Sequence, residues 1–354
     1  MHDAEGPEII IWDITYACPL RCVHCYSESG RRPSRQLRSA EDGMRVTDAF
    51  LALKPRVVSI AGGEPLLIRN VLDIARKLTD ASIATCLYTS GWLFDETLPD
   101  RLAEVFSQIT VSVDGARAAT HDRVRGRAGS FDRAMTALGH LERTAVRRAA
   151  AGLGQLNYTV EYVVMRSNLD ELEDFVRLVA DRFPHLASIT FNAAAPSGLG
   201  SGVEFGETEL LFDEQMERLV TKEFQEGLRS LASEHTRVFT TDNLGLIMPP
   251  DPRSPRDGSH VMQVEPDGEV RWMPVYEGSV GNLLRDDPYA VWARAKERWG
   301  DPYVLRTLKP VRTVREWAAA ARQLNDRFAA PADRERLERR KGPVQVAVTA
   351  RPAR

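Results

Sequence analysis

The chain has 354 residues, enough for one large or two moderate domains with a buried core. Its 47 Lys and Arg nearly balance 50 Asp and Glu, for a net charge of −3, so no basic excess predicts nucleic-acid binding. The N-terminus lacks the regions of a secretory signal, and no stretch approaches the ~18 uncharged apolar residues that span a bilayer. We therefore expect a cytoplasmic protein without nucleic-acid or membrane partners.

The first half of the chain alternates short apolar runs with amphipathic segments. Strands are predicted at 8–15, 56–60, 82–88, 108–113, 157–165 and 187–191. Helices are predicted at 39–53, 68–80, 95–105, 130–147 and 168–182. Asp95 is the expected N-cap of the third helix, and Asn168 with Glu171 is an expected capping box in the last. About six β/α units predict an α/β fold whose parallel sheet curls into a partial (β/α)6 barrel, with ligands at the carboxyl ends of the strands.

The second half begins after a glycine-rich stretch that marks a predicted domain boundary. A helix is predicted at 208–232 with Thr208 as its cap, followed by a proline-rich loop at 249–258 and a hairpin that turns at Pro266-Asp267-Gly268. Two further helices, at 286–299 and 311–329, precede an arginine-rich end. The expected organisation is a barrel domain, a smaller α+β C-terminal domain and a mobile basic tail, at 1–205, 206–330 and 331–354.

Three of the four cysteines, Cys18, Cys22 and Cys25, lie in the loop after the first predicted strand. In a reducing compartment an odd cluster argues against disulfides and favours a metal or iron–sulfur site. A closed zinc site needs four ligands, and the nearby fourth candidate, His24, adjoins Cys25 on a short loop. Three cysteines on a [4Fe–4S] cluster leave one iron open, which is a catalytic arrangement. The spacing favours the cluster over zinc or coincidence, and Cys86 is predicted to be a buried structural thiol.

The stretch Cys18-Pro-Leu-Arg-Cys22-Val-His-Cys25 resembles the C-x3-C-x-aromatic-C signature of the radical S-adenosylmethionine (SAM) superfamily, with His24 at the aromatic position. The resemblance implies a partial (β/α)6 barrel that holds one [4Fe–4S] cluster on the three cysteines, with SAM on the open iron. In such enzymes the reduced cluster cleaves SAM, and the resulting 5′-deoxyadenosyl radical takes a hydrogen atom from the substrate. The expected electron donor is a flavodoxin or ferredoxin.

Motifs at the ends of the later strands match this family by position. Gly62, Gly63, Glu64 and Pro65 are similar to its Gly-Gly-Glu-Pro motif, although alone they would suit a plain strand-to-helix turn. Together with the other loops, the resemblance implies SAM contacts from His24, Gly62, Gly63, Glu64, Ser90, Ser112, Asp114, Ser167 and Asn168.

Some of these assignments have alternatives. Ser90 stands where the family has an Asn, which weakens its assignment. Asp114 precedes a glycine and also suits a simple turn, and Asn168 also suits a helix cap. Pro196 and Gly198, after the sixth strand, are expected to frame the adenine of SAM.

Residues 260–292 resemble a C-terminal extension of the superfamily called SPASM or, in its shorter form, Twitch. The likeness consists of the hairpin at Pro266-Asp267-Gly268, a later Gly-Asn pair and a helix that contains Trp292. Such extensions usually carry auxiliary clusters bound by cysteines. We expect the hairpin to serve here as a lid that shapes the pocket.

The cysteines of that extension are missing from this sequence. Trp272 or Met273 stands at the expected cysteine position, and no cysteine follows Cys86, so no auxiliary cluster bound by cysteines is expected. His260, Met262 and Met273 are weak alternative ligands. A redox-neutral reaction is therefore favoured over one that passes a substrate electron to an auxiliary cluster.

The full-length resemblance is to enzymes that modify ribosomally made peptides and to tailoring enzymes of antibiotic pathways. Epimerisation or crosslinking of a peptide is preferred, and modification of a sugar, cyclitol or nucleoside is the alternative. A zinc-binding interaction protein is the non-enzymatic alternative. Only 17 residues precede Cys18, so a separate protein or the C-terminal domain is expected to bind any leader peptide.

No catalytic residue is predicted. The substrate-side candidates are barrel residues that suit the core or pocket wall better than a catalytic role, namely Trp92, Tyr158, Glu161, Tyr162 and Asn192. Strand alternation separates Tyr158 and Tyr162 from Glu161 and leaves open which face looks inward.

Overall fold

A computed structural model describes residues 6–32, 35–37, 39–244 and 261–340. Ten strands in these ranges form one sheet in the order β10-β9-β8-β1-β2-β3-β4-β5-β6-β7. They are β1 (Ile9–Thr15), β2 (Val57–Gly62), β3 (Ala84–Thr89), β4 (Gln108–Ser112), β5 (Tyr158–Val164), β6 (Ser188–Ala193), β7 (Arg237–Thr241), β8 (Val261–Val264), β9 (Glu269–Arg271) and β10 (Ser279–Asn282). In this order, every neighbouring pair from β8-β1 to β6-β7 is parallel. The two remaining pairs, β8-β9 and β9-β10, are antiparallel. The predicted α/β class is confirmed, and the open parallel sheet is consistent with a partial barrel.

Helices connect the parallel strands and cover one side of the sheet. They are α1 (Ala40–Leu53), α2 (Val71–Asp80), α3 (Leu98–Ala103), α4 (Ala118–Arg125), α5 (Ser130–Ala150), α6 (Leu172–Arg182), α7 (Val203–Thr208), α8 (Asp213–Leu219), α9 (Lys222–Ser230), α10 (Pro288–Trp299), α11 (Pro302–Leu308), α12 (Val314–Phe328) and α13 (Arg334–Arg339). In the described part of the chain, no helix has the length and apolar character needed to cross a membrane.

The apolar core lies between the sheet and these helices. Trp12 of β1 meets Phe50 of α1 edge to face, with ring centroids 5.1 Å apart. On β5, Tyr158 and Tyr162 are buried on the helix side, whereas Glu161 lines a cavity on the inner side. Because side chains alternate along a strand, one apolar face builds the core and the other is free to carry polar groups. The inner face therefore holds the candidate site.

Several predicted local features are wrong. Asp95 is not the N-cap residue of the third helix, because that helix begins at Leu98 and Thr97 holds the N-cap position. The Asp95 carboxylate nevertheless accepts the Leu98 N–H at 2.9 Å. The predicted helix 208–232 is three helices, α7 to α9, and Thr208 ends the first of them. The short polar helix α4 and the edge strand β7 were not predicted. The predicted proline-rich loop at 249–258 and His260 lie outside the described residues.

The predicted capping box of Asn168 and Glu171 is also wrong, because both side chains bind elsewhere. Asn168 Oδ1 accepts the N–H of Met165 at 2.7 Å, which lies before the helix. The Glu171 carboxylate accepts the Thr120 hydroxyl at 2.6 Å and the Ala116 N–H at 2.7 Å. These bonds tie the start of α6 to the segment around α4.

The structure shows the surroundings of Cys86 and of the two residues at the expected cysteine position of the extension. Cys86 is half-buried, not fully buried as expected, because it shares the inner face of β3 with Tyr88, which lines the cavity. Trp272 and Met273, at the expected extension cysteine, are each 1% exposed. Trp272 stacks on Tyr276 with ring centroids 4.9 Å apart. Apolar and aromatic packing fills this end of the hairpin.

The sheet runs across the predicted boundary between barrel and C-terminal domain. β8 pairs with β1 and β7 pairs with β6, so segments after residue 206 extend both sides of the first six strands. The division into two domains stays a prediction. Residues 331–340 differ from the expected mobile tail, because they form a turn of 3-10 helix and α13, with Arg336 and Arg340 buried. Residues 341–354 lie outside the described ranges.

Candidate active site at the carboxyl ends of the strands

The three clustered cysteines line one cavity of about 440 Å³ at the carboxyl ends of the strands. This volume is in the range of small-molecule sites. Two sulfurs accept backbone hydrogen bonds: Leu20 N–H donates to Cys18 Sγ at 3.4 Å, and Ser29 N–H donates to Cys25 Sγ at 3.3 Å. N–H donors stabilise thiolates, the form in which Cys18, Cys22 and Cys25 would bind a metal.

The chemistry of the cysteines suits a cationic metal centre. Burial raises the pKa of Cys18 and Cys22, the latter to about 11 even though Arg125 opposes the shift. A bound cation would supply positive charge that stabilises the thiolate forms of these buried cysteines. Among the described residues, no three His, Cys, Asp or Glu side chains converge on a point that one metal ion could occupy.

The cysteine loop is fixed by the C-terminal end of α4. Arg21 N–H donates to the carbonyl of Arg125 at 3.0 Å, and Val23 N–H donates to the carbonyl of Val124 at 2.9 Å. These two bonds satisfy carbonyl groups in the last turn of α4. The positions of Cys22 and its neighbours therefore depend on a distant helix, since Arg125 lies 103 residues after Cys22 in the chain.

The predicted glycine motif packs directly against this loop. Gly62 and Gly63 both line the cavity. A Cβ on Gly63 would lie 2.1 Å from the carbonyl oxygen of Ala17, and the Gly63 N–H donates to the Thr15 carbonyl at 2.6 Å. Only a residue without a side chain allows the two backbones to approach this closely.

Glu64 lies behind the cavity wall and does not line it. It is fully buried, and its carboxylate accepts the Ser90 N–H at 2.9 Å, the Ser90 hydroxyl, and the Thr89 hydroxyl at 2.8 Å. Burial raises the pKa of Glu64, and these hydrogen bonds oppose that shift. Ser90 itself lines the cavity, so Glu64 reaches the site through Ser90.

Asp114 is likewise buried behind residues that line the cavity. Its carboxylate lies 2.9 Å from His24 Nε2 and 2.6 Å from Arg125 Nε, and it accepts the Val163 N–H at 2.9 Å. Burial alone would raise the pKa of Asp114, but Arg125 and His24 outweigh it and hold that pKa well below the ordinary value. Ser112, His24 and Arg125 line the cavity, whereas Asp114 joins the cysteine loop, α4 and β5.

Ser167 and Asn168 do not reach the cavity, contrary to the expectation of SAM contacts. Ser167 is exposed, and its N–H donates to the carboxylate of Glu209 at 3.3 Å. Asn168 is 1% exposed, and its side chain is used by backbone groups of the turn after β5, including the Val163 carbonyl at 3.0 Å. This amide stabilises the turn itself.

The residues after β6 hold the cysteine loop. Pro196 and Gly198 do not line the cavity, whereas Ser197 between them does. Gly198 has a φ of +54°, and a Cβ there would lie 2.2 Å from the Tyr26 carbonyl oxygen. The close approach, and not an adenine contact, explains the glycine.

The substrate-side candidates divide into two groups. Glu161 and Asn192 line the cavity, and Asn192 Nδ2 donates to Glu161 Oε1 at 2.6 Å. Burial raises the pKa of Glu161 to about 7, against the hydrogen bond from Asn192. The side chains of Tyr158, Tyr162 and Trp92 lie outside the cavity lining.

Several cavity residues were missed in the sequence, and Arg125 and Gln263 are two of them. Arg125 Nη1 lies 3.8 Å from Cys22 Sγ, and no sequence signal marked it because α4 was not predicted. Gln263 of β8 is 1% exposed and donates from Nε2 to Asp13 Oδ2 at 2.8 Å, while its Oε1 has no hydrogen-bond partner among the described residues. Alternation along the predicted hairpin was the available signal for Gln263.

A model of the Radical SAM superfamily matches residues 12–179. This segment is therefore similar to the radical SAM superfamily, as the cysteine signature predicted, and that similarity implies SAM and a [4Fe–4S] cluster as cofactors. The chain is 34% identical over 203 residues to mycofactocin maturase MftC of Mycobacterium ulcerans. The aligned segment covers 57% of this chain and 51% of that protein. It is 30% identical over 199 residues to an AdoMet-dependent heme synthase of Methanosarcina barkeri, 55% of this chain and 53% of that protein. The chain thus spans about half the length of the curated relatives it matches.

Solved structures share the fold over most of the chain. SuiB of Streptococcus suis, bound to the precursor peptide SuiA, superposes with a TM-score of 0.61 and 15% identity, covering 87% of this chain and 68% of that one. Native anSMEcpe with bound AdoMet superposes with a TM-score of 0.58 and 16% identity, covering 82% of each chain. The shared fold extends beyond residues 12–179 into the predicted C-terminal extension.

Proposed function

We propose that this chain is a radical SAM enzyme that holds one [4Fe–4S] cluster on Cys18, Cys22 and Cys25 and cleaves SAM reductively to take a hydrogen atom from a substrate. The observation that carries the proposal is that all three cysteines line one cavity and lie within the segment similar to the radical SAM superfamily. The bound cluster would supply the electron that cleaves the sulfonium, delivered by a flavodoxin or ferredoxin.

The chain's own residues would bind and orient the cofactor. The cavity-lining residues assigned to SAM are His24, Gly62, Gly63, Ser90 and Ser112. Glu64 and Asp114 are positioning residues in this proposal, because each acts through a lining neighbour. Such fixed support keeps a site ready for a ligand without reorganisation.

A ribosomally made peptide is the preferred substrate. The maturase relative and the fold shared with a precursor-peptide complex support this choice. The cavity also offers hydrogen-bond acceptors, the Gln263 amide oxygen and the Glu161 carboxylate, for the N–H groups of a peptide. The heme synthase relative supports a second candidate, a small non-peptide substrate.

The cofactor chemistry is tested without a substrate. Protein purified and reconstituted under anaerobic conditions should contain about four irons per chain. With dithionite and SAM it should release 5′-deoxyadenosine, and Cys22→Ser should abolish both iron loading and release. Cys86→Ser is the matched control, because Cys86 lies outside the cavity lining, and it should retain both. Release of 5′-deoxyadenosine by the Cys22 variant, or about eight irons in the unaltered chain, would refute the proposal.

The substrate class is tested by co-expression with short peptides encoded beside the gene, followed by mass spectrometry. A mass change that depends on Cys22 supports peptide modification, and so does a peptide whose mass is unchanged in H2O but rises by deuterium uptake when the reaction runs in D2O. Active SAM cleavage with every such peptide unmodified would instead favour the small-molecule candidate.

A further inference from the structure

The last described helix, α13, packs against the cysteine loop at the opposite end of the sequence. Arg336 Nη1 donates to Glu28 Oε1 at 2.8 Å, and Arg340 donates to the same oxygen. Both arginines also pair with Glu277, at 2.9 Å from Arg336 Nη2 and 2.6 Å from Arg340 Nη2. We call Glu28, Glu277, Arg336 and Arg340 the C-terminal clamp.

The clamp is buried and balanced in charge. Its four residues, two acids and two arginines, are each 7% exposed or less. Burial alone would raise the pKa of Glu277, but Arg271, Arg340 and Arg336 hold that pKa well below its ordinary value. Removal of either arginine would leave carboxylate charge in a dry site, which is strongly unfavourable. Glu28 therefore depends on α13 to stay where it is.

Glu28 in turn shapes the backbone beside a cluster cysteine. It has a φ of +52°, a left-handed conformation that non-glycine residues hold only under constraint. Its N–H donates to the Cys25 carbonyl at 3.3 Å, and the next residue, Ser29, donates its N–H to Cys25 Sγ at 3.3 Å. A relaxed Glu28 would turn that Ser29 N–H away from the sulfur.

We propose that α13, through Arg336 and Arg340, holds Glu28 so that Ser29 N–H donates to Cys25 Sγ, and so controls the retention and reduction potential of a cluster bound there. This inference rests on the proposed function, because it assumes a cluster on the three cysteines. Hydrogen bonds to cluster sulfurs stabilise the more negative, reduced state and are among the determinants of cluster potential. The arginines are positioning residues, since they touch neither the cysteines nor the cavity.

The test is Arg340→Gln in the full chain, with the cluster reconstituted. Loss of outer support for a metal ligand typically weakens metal retention by about tenfold or more, so iron release to an anaerobic chelator should be about tenfold faster. The midpoint potential should become more negative. Arg339→Gln on the same helix is the matched control, because Arg339 is 65% exposed and its ion pair is with Glu335 on the surface, so both values should stay unchanged.

A second variant separates cluster control from folding. The double variant with Glu28→Gln and Arg340→Gln has no uncompensated carboxylate at residue 28. Its apoprotein should therefore have a melting temperature near that of the unaltered chain, yet the midpoint potential of its cluster should stay shifted. If Arg340→Gln releases iron at the unaltered rate and keeps the potential, whatever its melting temperature, the clamp is ordinary packing and the inference is overturned. Failure of the unaltered chain to load a cluster would instead overturn the proposed function.

Discussion

Replacing Asp114 by Asn tests whether the buried carboxylate is the link that joins the cysteine loop to the barrel. Asn keeps the shape and one oxygen for the Val163 N–H at 2.9 Å, but removes the charge that faces Arg125 at 2.6 Å. Breaking a buried ion pair costs about 3–5 kcal/mol, and the retained hydrogen bond favours the lower end, about 3 kcal/mol. Urea denaturation of the apoprotein measures this loss. The control, Asp100→Asn, removes an exposed pair with Arg147 and should cost less than about 1 kcal/mol.

The same variant makes a pH prediction with a defined sign. The pKa of Asp114 is lowered in the folded chain from an ordinary value of 3.8, by Arg125 and His24 against the effect of burial. Its charge therefore stabilises the fold fully above that ordinary value, and the stabilisation is lost as the pH falls further. The stability gap between the unaltered chain and the Asn variant should be constant near neutral pH and narrow below 3.8. A neutral-pH gap below about 1 kcal/mol, or one unchanged in acid, would contradict the reasoning.

Two further variants probe the cavity wall. Burial raises the pKa of Glu161 from 4.5 to about 7, so the unaltered chain should lose stability relative to Glu161→Gln as the pH rises across that interval. Urea denaturation at several pH values measures this difference in stability. A difference that does not change with pH would show that Glu161 does not titrate there. Gly63→Ala should reduce iron loading and stability, because its Cβ would lie 2.1 Å from the Ala17 carbonyl oxygen. Gly227→Ala in α9 has no atom within 4 Å and should instead stabilise the chain by about 0.5–1 kcal/mol; equal effects of the two alanines would exclude the close approach as the cause.

The strands of the first half were predictable because their apolar runs are buried and bounded by turn residues. β1, β2 and β5 begin and end within about two residues of the predicted runs. The helix α4 and the edge strand β7 were not predictable in the same way. α4 is short, and two of its side chains, Arg123 and Arg125, form ion pairs, whereas β7 is exposed at alternate positions. Neither has the apolar period on which such predictions depend.

The site was predictable where the chemistry is local and not where it depends on distant partners. Cys18, Cys22, Cys25 and the glycine motif follow from spacing along the chain. The role of Arg125 requires its pairing with Asp114, and the contact of Arg336 with Glu28 joins residues 308 positions apart. Side chains such as Glu64 were assigned to the right region, but the sequence carries no information on which way a buried carboxylate points.

The parallel pairing of β8 with β1 has a consequence for how the protein is made. β1 leads directly into the cysteine loop, and the partner that covers its outer side, through pairs such as Ile10 with Met262, is about 250 residues further along. A nascent chain on the ribosome therefore exposes this edge until β8 has emerged. Iron that arrives before β8 has paired would meet a cysteine loop whose leading strand still has an open edge.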